Sequence, residues 1–126
     1  MKGNFKVGLG ILVGFGLGAV VEELHAQAKP PAYVISEIDV TNADAYAKEY
    51  VPLANKALAE SGQKRLVSGG KTISLAGDPP AERIVVSIFE SMEKAQAAYT
   101  SPAYIEARKI GDKYGKLRIF AVEGIQ

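Results

Sequence analysis

Charged and hydroxyl side chains on strand-like segments are the groups of this sequence with the clearest chemical potential. Glu37 lies in one such segment, Arg83 and Ser87 lie four residues apart in a second, and Arg118 lies in a third. A carboxylate that faces guanidinium groups in a partly dry cavity can orient an anionic or hydroxylated small ligand, or act as a general base. Buried charges are more often paired for structural reasons alone, so a structural ion pair is the favoured interpretation.

Tyr104 and Arg108 form a second candidate pair. They lie four residues apart in a predicted helix and therefore share one of its faces, where they could close the mouth of a cavity. We favour the simpler interpretation that Tyr104 is a core aromatic at the start of its helix. The sequence thus has six candidate ligand-binding residues: Glu37, Arg83, Ser87, Tyr104, Arg108 and Arg118.

Several familiar chemistries lack the side chains they need. The chain has no cysteine, and its one histidine, His25, lies in a segment that we expect to be removed. Without either residue type, a serine-histidine-aspartate triad, a histidine-ligated zinc and a haem with a proximal histidine are unavailable. We therefore expect no metal and no cofactor. The net charge of +1 also argues against nucleic acid as a partner, because it offers no broad field to attract phosphates.

The first 28 residues have the pattern of a signal peptide. Lys2 and Lys6 precede an uncharged apolar run from Val7 to Val21, and Ala26-Gln27-Ala28 is a small-x-small cleavage site. Cleavage after Ala28 would leave residues 29–126 as one periplasmic or secreted domain without membrane contact. The alternative is a retained N-terminal membrane anchor, although the apolar run is shorter than the roughly 20 residues that span a bilayer. Three glycines would line one face of that helix: Gly10, Gly14 and Gly18.

The rest of the chain alternates between strand and helix patterns. Strands are predicted at 33–40, 65–67, 83–89 and 117–122, with a further short strand at 72–75. A helix is predicted from about Asn42 to Glu60, and others begin at Ser91 and Ser101. Pro52 predicts a kink or a split in the first helix. The order βαββαβ predicts an α+β ferredoxin-like sandwich, in which an antiparallel sheet carries its helices on one face.

Strand alternation predicts which residues line the sheet face that the helices leave open. With the strand order 4-1-3-2, the first strand lies between the third and the fourth. The open face is then expected to hold Tyr33, Ile35, Glu37 and Asp39 of the first strand, Arg83, Val85, Ser87 and Phe89 of the third, and Arg118, Phe120 and Val122 of the fourth. A sheet face with this many apolar residues is unfavourable in water. We therefore expect a homodimer that buries this face.

Several short motifs together resemble one family. They are Ala32-Tyr33-Val34, Ala45-Tyr46, Gly69-Gly70, Pro79-Pro80, Phe89-Glu90-Ser91, Ser101-Pro102-Ala103-Tyr104 with Arg108, and Val122-Glu123-Gly124. In combination they resemble the family called domain of unknown function 1330, over nearly all of residues 29–126. The resemblance implies a dimeric α/β-barrel, in which two ferredoxin-like subunits join their open sheet faces. It implies no established reaction, and many members of the family lack a leader.

Two classes of function remain open from the sequence. The first is an exported, dimeric, non-catalytic module that binds a small ligand or another protein. The alternative is a cofactor-independent enzyme that acts on a small hydrophobic or aromatic substrate in the barrel cavity, by an analogy at the level of the fold. The lack of histidine and cysteine in residues 29–126 favours the first. Whether the protein is an enzyme is left open.

Overall fold

Four strands and their covering helices build the part of the chain that the structure, a computed structural model, describes, namely residues 29–126. The elements in order are β1 (Ala32–Val40), α1 (Ala43–Ala45), a π-helical segment (Tyr46–Tyr50), α2 (Val51–Leu58), β2 (Lys64–Ser68), β3 (Arg83–Phe89), α3 (Met92–Tyr99), α4 (Pro102–Tyr114) and β4 (Gly115–Glu123). The strands form one antiparallel sheet in the order β2-β3-β1-β4. The predicted ferredoxin-like α+β fold and strand order are confirmed. The predicted signal peptide, residues 1–28, lies outside the described residues.

The first helical run is divided where Pro52 predicts a break. Asn42 begins it by accepting a hydrogen bond from the Ala45 N–H at 3.1 Å. Pro52 lies in the first turn of α2, and it has no N–H to donate to the turn before it. The π-helical segment occupies that turn and carries two buried tyrosines, Tyr46 and Tyr50, whose ring centroids lie 5.1 Å apart.

The two later helices begin at serine caps, as predicted. Ser91 accepts a hydrogen bond from the Lys94 N–H, and Ser101 accepts one from the Tyr104 N–H, each at 3.2 Å. These bonds satisfy amide donors that have no partner within the helix. Among residues 29–126, none of the helices combines the length and apolar character that crossing a membrane requires.

The predicted strand at 72–75 is absent from the sheet. Those residues lie in the loop between β2 and β3, where Ile73 and Leu75 are 68% and 88% exposed. A strand requires a hydrogen-bonding neighbour, and residues 72–75 pair with no strand, although β2 is an edge strand with one side free. The prediction was wrong because local strand propensity does not by itself bring a segment to a sheet edge.

The predicted face of the third strand is also wrong. Ser87 lies opposite Val34, and Ile84 lies opposite Glu37. Residues directly opposite each other in an antiparallel pair share a face. Since Val34 is buried beneath the helices, the helix-covered face holds Arg83, Val85, Ser87 and Phe89. The open face holds their alternates: Ile84, Val86 and Ile88.

Candidate functional site

Glu37 and Arg118 form the predicted contact on the open sheet face. They lie directly opposite each other in β1 and β4. The Nε of Arg118 donates to Glu37 Oε1 and its Nη2 donates to Oε2, both at 3.2 Å. This bidentate geometry orients both side chains. The Arg118 side chain is 71% exposed and that of Glu37 is 32% exposed, so water reaches the pair in the single chain.

The open face around this ion pair is largely apolar. It carries Tyr33, Ile35, Ile84, Val86, Ile88, Phe120 and Val122. Phe120 and Val122 are among the exposed large hydrophobic residues, at 39% and 48%. A contiguous apolar face of this kind is typical of a surface that a partner covers. The pair is therefore placed to orient such a contact.

Arg83 and Ser87 do not meet Glu37, contrary to prediction. Ser87 is fully buried beneath the helices. Arg83 instead lines a cavity on the helix-covered side of the sheet, the inner cavity, with a volume of about 50 Å³. The cavity lies between the sheet, the first helical run and α4, and its lining residues are Ser36, Ile38, Tyr46, Tyr50, Val51, Ala54, Asn55, Leu58, Arg65, Arg83, Val85, Tyr99 and Tyr104.

The Arg83 side chain carries a buried donor without an acceptor. Its Nε is buried and has no hydrogen-bond partner within residues 29–126. Its Nη2 makes one long contact of 3.5 Å with the Ser68 hydroxyl. Gly69, at φ +73°, makes room for the guanidinium, since a Cβ there would overlap it. A buried donor without an acceptor costs free energy.

Arg65 and Asn55 lie at the outer edge of the same cavity. Arg65 Nη2 donates to Asn55 Oδ1 at 3.2 Å, and both residues are exposed. Arg65 lies opposite Ser87, on the helix-covered side, and a register shift follows it before Val67. The shift is a bulge of the kind that redirects side chains at the edge of a sheet. The entrance to the cavity therefore carries a second guanidinium.

Four tyrosines form the inner wall. The hydroxyl oxygens of Tyr50 and Tyr104 are 2.9 Å apart. The Tyr99 ring lies edge-on to the Tyr104 ring, with 4.7 Å between the two ring centroids. Burial raises the pKa of Tyr99 to about 12 and raises the pKa of Tyr50 and Tyr104. Burial also raises the pKa of Tyr46, although the charge of Arg83 opposes that rise. At neutral pH these phenols are protonated and can donate hydrogen bonds.

Comparison with known proteins gives the chain its family. The family described as "Domain of unknown function (DUF1330)" matches residues 31–125. The chain belongs to the DUF1330 family. No curated protein matches its sequence.

Solved structures share the fold of this DUF1330 chain. RPA0582, a protein of unknown function from Rhodopseudomonas palustris, superimposes with a TM-score of 0.62 at 16% identity, over 86% of this chain and 93% of its own. A provisionally named antibiotic biosynthesis monooxygenase from Caulobacter crescentus CB15 gives a TM-score of 0.55 at 17% identity, over 83% of this chain and 99% of its own. At these identities the likeness shows the fold alone.

Arg108 lies beside Tyr104 in this DUF1330 domain, but it does not line the inner cavity. Its Nε donates to Asp112 Oδ1 at 2.9 Å, and its Nη2 donates to the Leu117 carbonyl at 3.2 Å. It thus ties α4 to β4. Tyr104, at 3% exposure, belongs to the core as favoured, and it also lines the inner cavity.

Sequence reasoning missed most residues of the inner cavity of this DUF1330 domain, among them Tyr46, Tyr50 and Arg65. The two tyrosines were recognisable as an apolar stripe at a spacing of four, which does not distinguish a core from a cavity wall. In residues 29–126, no group of three or more His, Cys, Asp or Glu residues is arranged to hold a metal ion. The polar atoms of the inner cavity are hydroxyl, amide and guanidinium groups.

Proposed function

We propose that this DUF1330 protein is a homodimeric, non-catalytic domain that binds a small ligand in the inner cavity of each subunit. The observation that carries the proposal is the lining of that cavity, which includes two arginines, Arg83 and Arg65, and no carboxylate to balance them. A ligand that supplies acceptors to these guanidinium groups would make charge-assisted hydrogen bonds that the chain itself does not provide. Concave sites with a few convergent polar groups and apolar walls are the usual form of small-molecule sites.

The side chains of the inner cavity favour binding over catalysis. None of its lining residues is a carboxylate, a histidine or a cysteine. The raised pKa values of Tyr50 and Tyr99 keep their phenols protonated at neutral pH. A general base needs a group that accepts a proton near the working pH, and neither phenol meets that condition.

The open face supports a homodimer. Its apolar residues flank the Glu37–Arg118 pair, so one patch supplies both burial and orientation. A patch that meets its own copy across a two-fold axis must complement itself. A carboxylate and a guanidinium side by side meet this condition, since each can face its opposite in the other copy. Exposed Ile73 and Leu75 in the β2–β3 loop add apolar surface for a second copy to cover.

We further propose that the protein is exported and cleaved after Ala28, which places the domain in the periplasm or outside the cell. The support is the basic leader, the apolar run and the Ala26-Gln27-Ala28 site. N-terminal sequencing of protein expressed in a Gram-negative host should find Lys29 as the first residue. Intact Met1 on membrane-bound protein would contradict cleavage and favour the N-terminal anchor.

Native mass spectrometry tests the ligand-binding function. Protein purified from its own source should carry a small-molecule adduct, and Arg83→Gln should lose it. Lys113→Gln removes the same charge from the exposed end of α4 and should keep the adduct. An adduct that persists in Arg83→Gln, with the fold intact by circular dichroism, would contradict a site in the inner cavity.

A cofactor-independent enzyme acting on a hydrophobic or aromatic substrate is the second candidate function. The hydrogen-bonded Tyr50 and Tyr104 at the cavity wall and the name of the Caulobacter neighbour favour it. The experiment is to incubate the recovered ligand with protein and oxygen and to follow new products by mass spectrometry. Turnover that Tyr104→Phe abolishes would replace the binding function with the enzyme. An unchanged ligand would support binding alone.

A further inference from the structure

We infer that the inner cavity selects a small organic anion, a monocarboxylate. Arg83 binds this anion inside the cavity, and Arg65 attracts it at the entrance. This inference rests on the proposed ligand-binding function and names the chemical class of its ligand. It depends on three features of the cavity: its charge, its donors and its size.

The charge of the cavity is unbalanced. Its lining includes the guanidinium groups of Arg83 and Arg65 and no carboxylate. Within residues 29–126, neither arginine forms an ion pair, whereas Arg108 and Arg118 each do. A partly buried guanidinium without a counter-charge loses hydration without the compensating attraction of an ion pair. An anion in the cavity supplies that counter-charge, and a carboxylate matches the planar fork of arginine.

The hydrogen-bonding groups point to the same ligand class. Arg83 and Arg65 line the cavity, and guanidinium groups offer donors only. The hydroxyls of Ser36 and Tyr46 also line the cavity and are able to donate. An ionised carboxylate is acceptor-only, with two oxygens that can receive several hydrogen bonds. A neutral amide of the same shape would bring its NH₂ group against these donors.

The size and the walls of the cavity limit the part of the ligand that lies beyond its carboxylate. The cavity holds about 50 Å³, a few times the space that one water requires, about 10–15 Å³. Ile38, Val51 and Leu58 give it an apolar wall. These dimensions suit an acid with a short alkyl chain. They exclude a nucleotide or an extended aromatic polyketide unless the helices move.

A titration with matched probes tests the inference. Chemical shifts of the purified protein are followed by NMR as propionate, propionamide or inorganic phosphate is added. Propionate should shift the resonances of cavity residues, and propionamide should bind at least about tenfold more weakly. Arg83→Gln should weaken propionate binding about tenfold or more, Arg83→Lys should be intermediate, and Lys113→Gln should bind like the wild type.

The possible failures separate the two proposals. Equal affinity for propionate and propionamide, or an unchanged affinity in folded Arg83→Gln, would overturn the anion inference and leave a ligand-binding cavity. Tighter binding of phosphate than of propionate would overturn the carboxylate assignment in favour of an inorganic oxyanion. If none of the three probes shifts a cavity resonance and the native protein carries no adduct, both the ligand-binding function and the anion inference are overturned. Thermal unfolding of each variant shows whether a loss of binding reflects a loss of fold.

Discussion

The hydroxyl oxygens of Tyr50 and Tyr104 lie 2.9 Å apart in the helical layer above the sheet. Both side chains are buried, and they come from different elements, the π-helical segment and α4. One hydroxyl donates and the other accepts in this single hydrogen bond. This contact joins the first helical run to α4 beside the inner cavity.

Tyr104→Phe should destabilise the protein by about 1–2 kcal/mol, because it leaves the Tyr50 hydroxyl buried without its partner. Tyr50→Phe should have a similar effect. The double variant Tyr50→Phe/Tyr104→Phe should lose less than the sum of the two single variants, since it removes both polar groups. Urea unfolding of the three variants measures this coupling. Strictly additive losses would show that the two hydroxyls do not depend on each other.

Alkaline pH should destabilise the fold. Burial raises the pKa of Tyr99 from 10.0 to about 12, and burial together with Tyr104 raises that of Tyr50. Tyrosines of the unfolded chain ionise near pH 10, so the unfolded state then binds fewer protons than the fold. Stability is therefore complete below about pH 10 and declines as pH rises through about 12.

Urea unfolding at a series of pH values measures this decline, and tyrosinate absorbance in the folded protein reports the ionisation directly. Tyr99→Phe should make the decline less steep. A free energy of unfolding that stays constant from about pH 10 to about pH 12 would contradict the burial of these phenols.

Gly111→Ala should destabilise the protein by about 1–3 kcal/mol through overpacking. Alanine normally stabilises a helix by about 1 kcal/mol relative to glycine. Here a Cβ would lie 2.7 Å from Cδ1 of the buried Tyr50 ring, which has little room to move. Gly70→Ala is the control, because a Cβ at that position meets nothing within 4 Å. Thermal unfolding should show a lowered midpoint for Gly111→Ala alone.

Phe120→Glu should convert the proposed dimer into a monomer or an aggregate. The substitution would place a carboxylate in an apolar interface, at a cost of several kcal/mol if it is desolvated. Ile105→Glu is the matched control, since Ile105 is similarly exposed, at 46% against 39% for Phe120, but lies on helix α4. Light scattering measures both. A wild-type monomer at micromolar concentration would remove the dimer proposal.

Glu37→Gln should weaken the association of the dimer more than it lowers the stability of the folded subunit. In the single chain the Glu37–Arg118 pair is largely exposed, and such pairs contribute about 0–1 kcal/mol. At a covered interface the substitution would leave the Arg118 charge without its partner, which costs more. Sedimentation should show a raised dissociation constant, and propionate binding should be unchanged. Lost propionate binding by an intact dimer would place the ligand on the open face instead.

Local features of the sequence predicted most of the architecture. The caps at Ser91 and Ser101 formed as expected because each depends on residues within one turn of helix. Pro52 broke its helix because its effect on the backbone is equally local. Period-two alternation correctly showed which residues of each strand share a face, and with the strand order it brought Glu37 to Arg118.

Only the tertiary structure decided which face of β3 meets the helices and whether residues 72–75 pair with a strand. Alternation leaves two choices for each strand, and the pairing of Ser87 with Val34 selects between them. That selection moved Arg83 away from Glu37 and placed it among the buried tyrosines. The inner cavity therefore could not be predicted from the sequence, because strand register and helix packing depend on contacts between residues far apart in the chain.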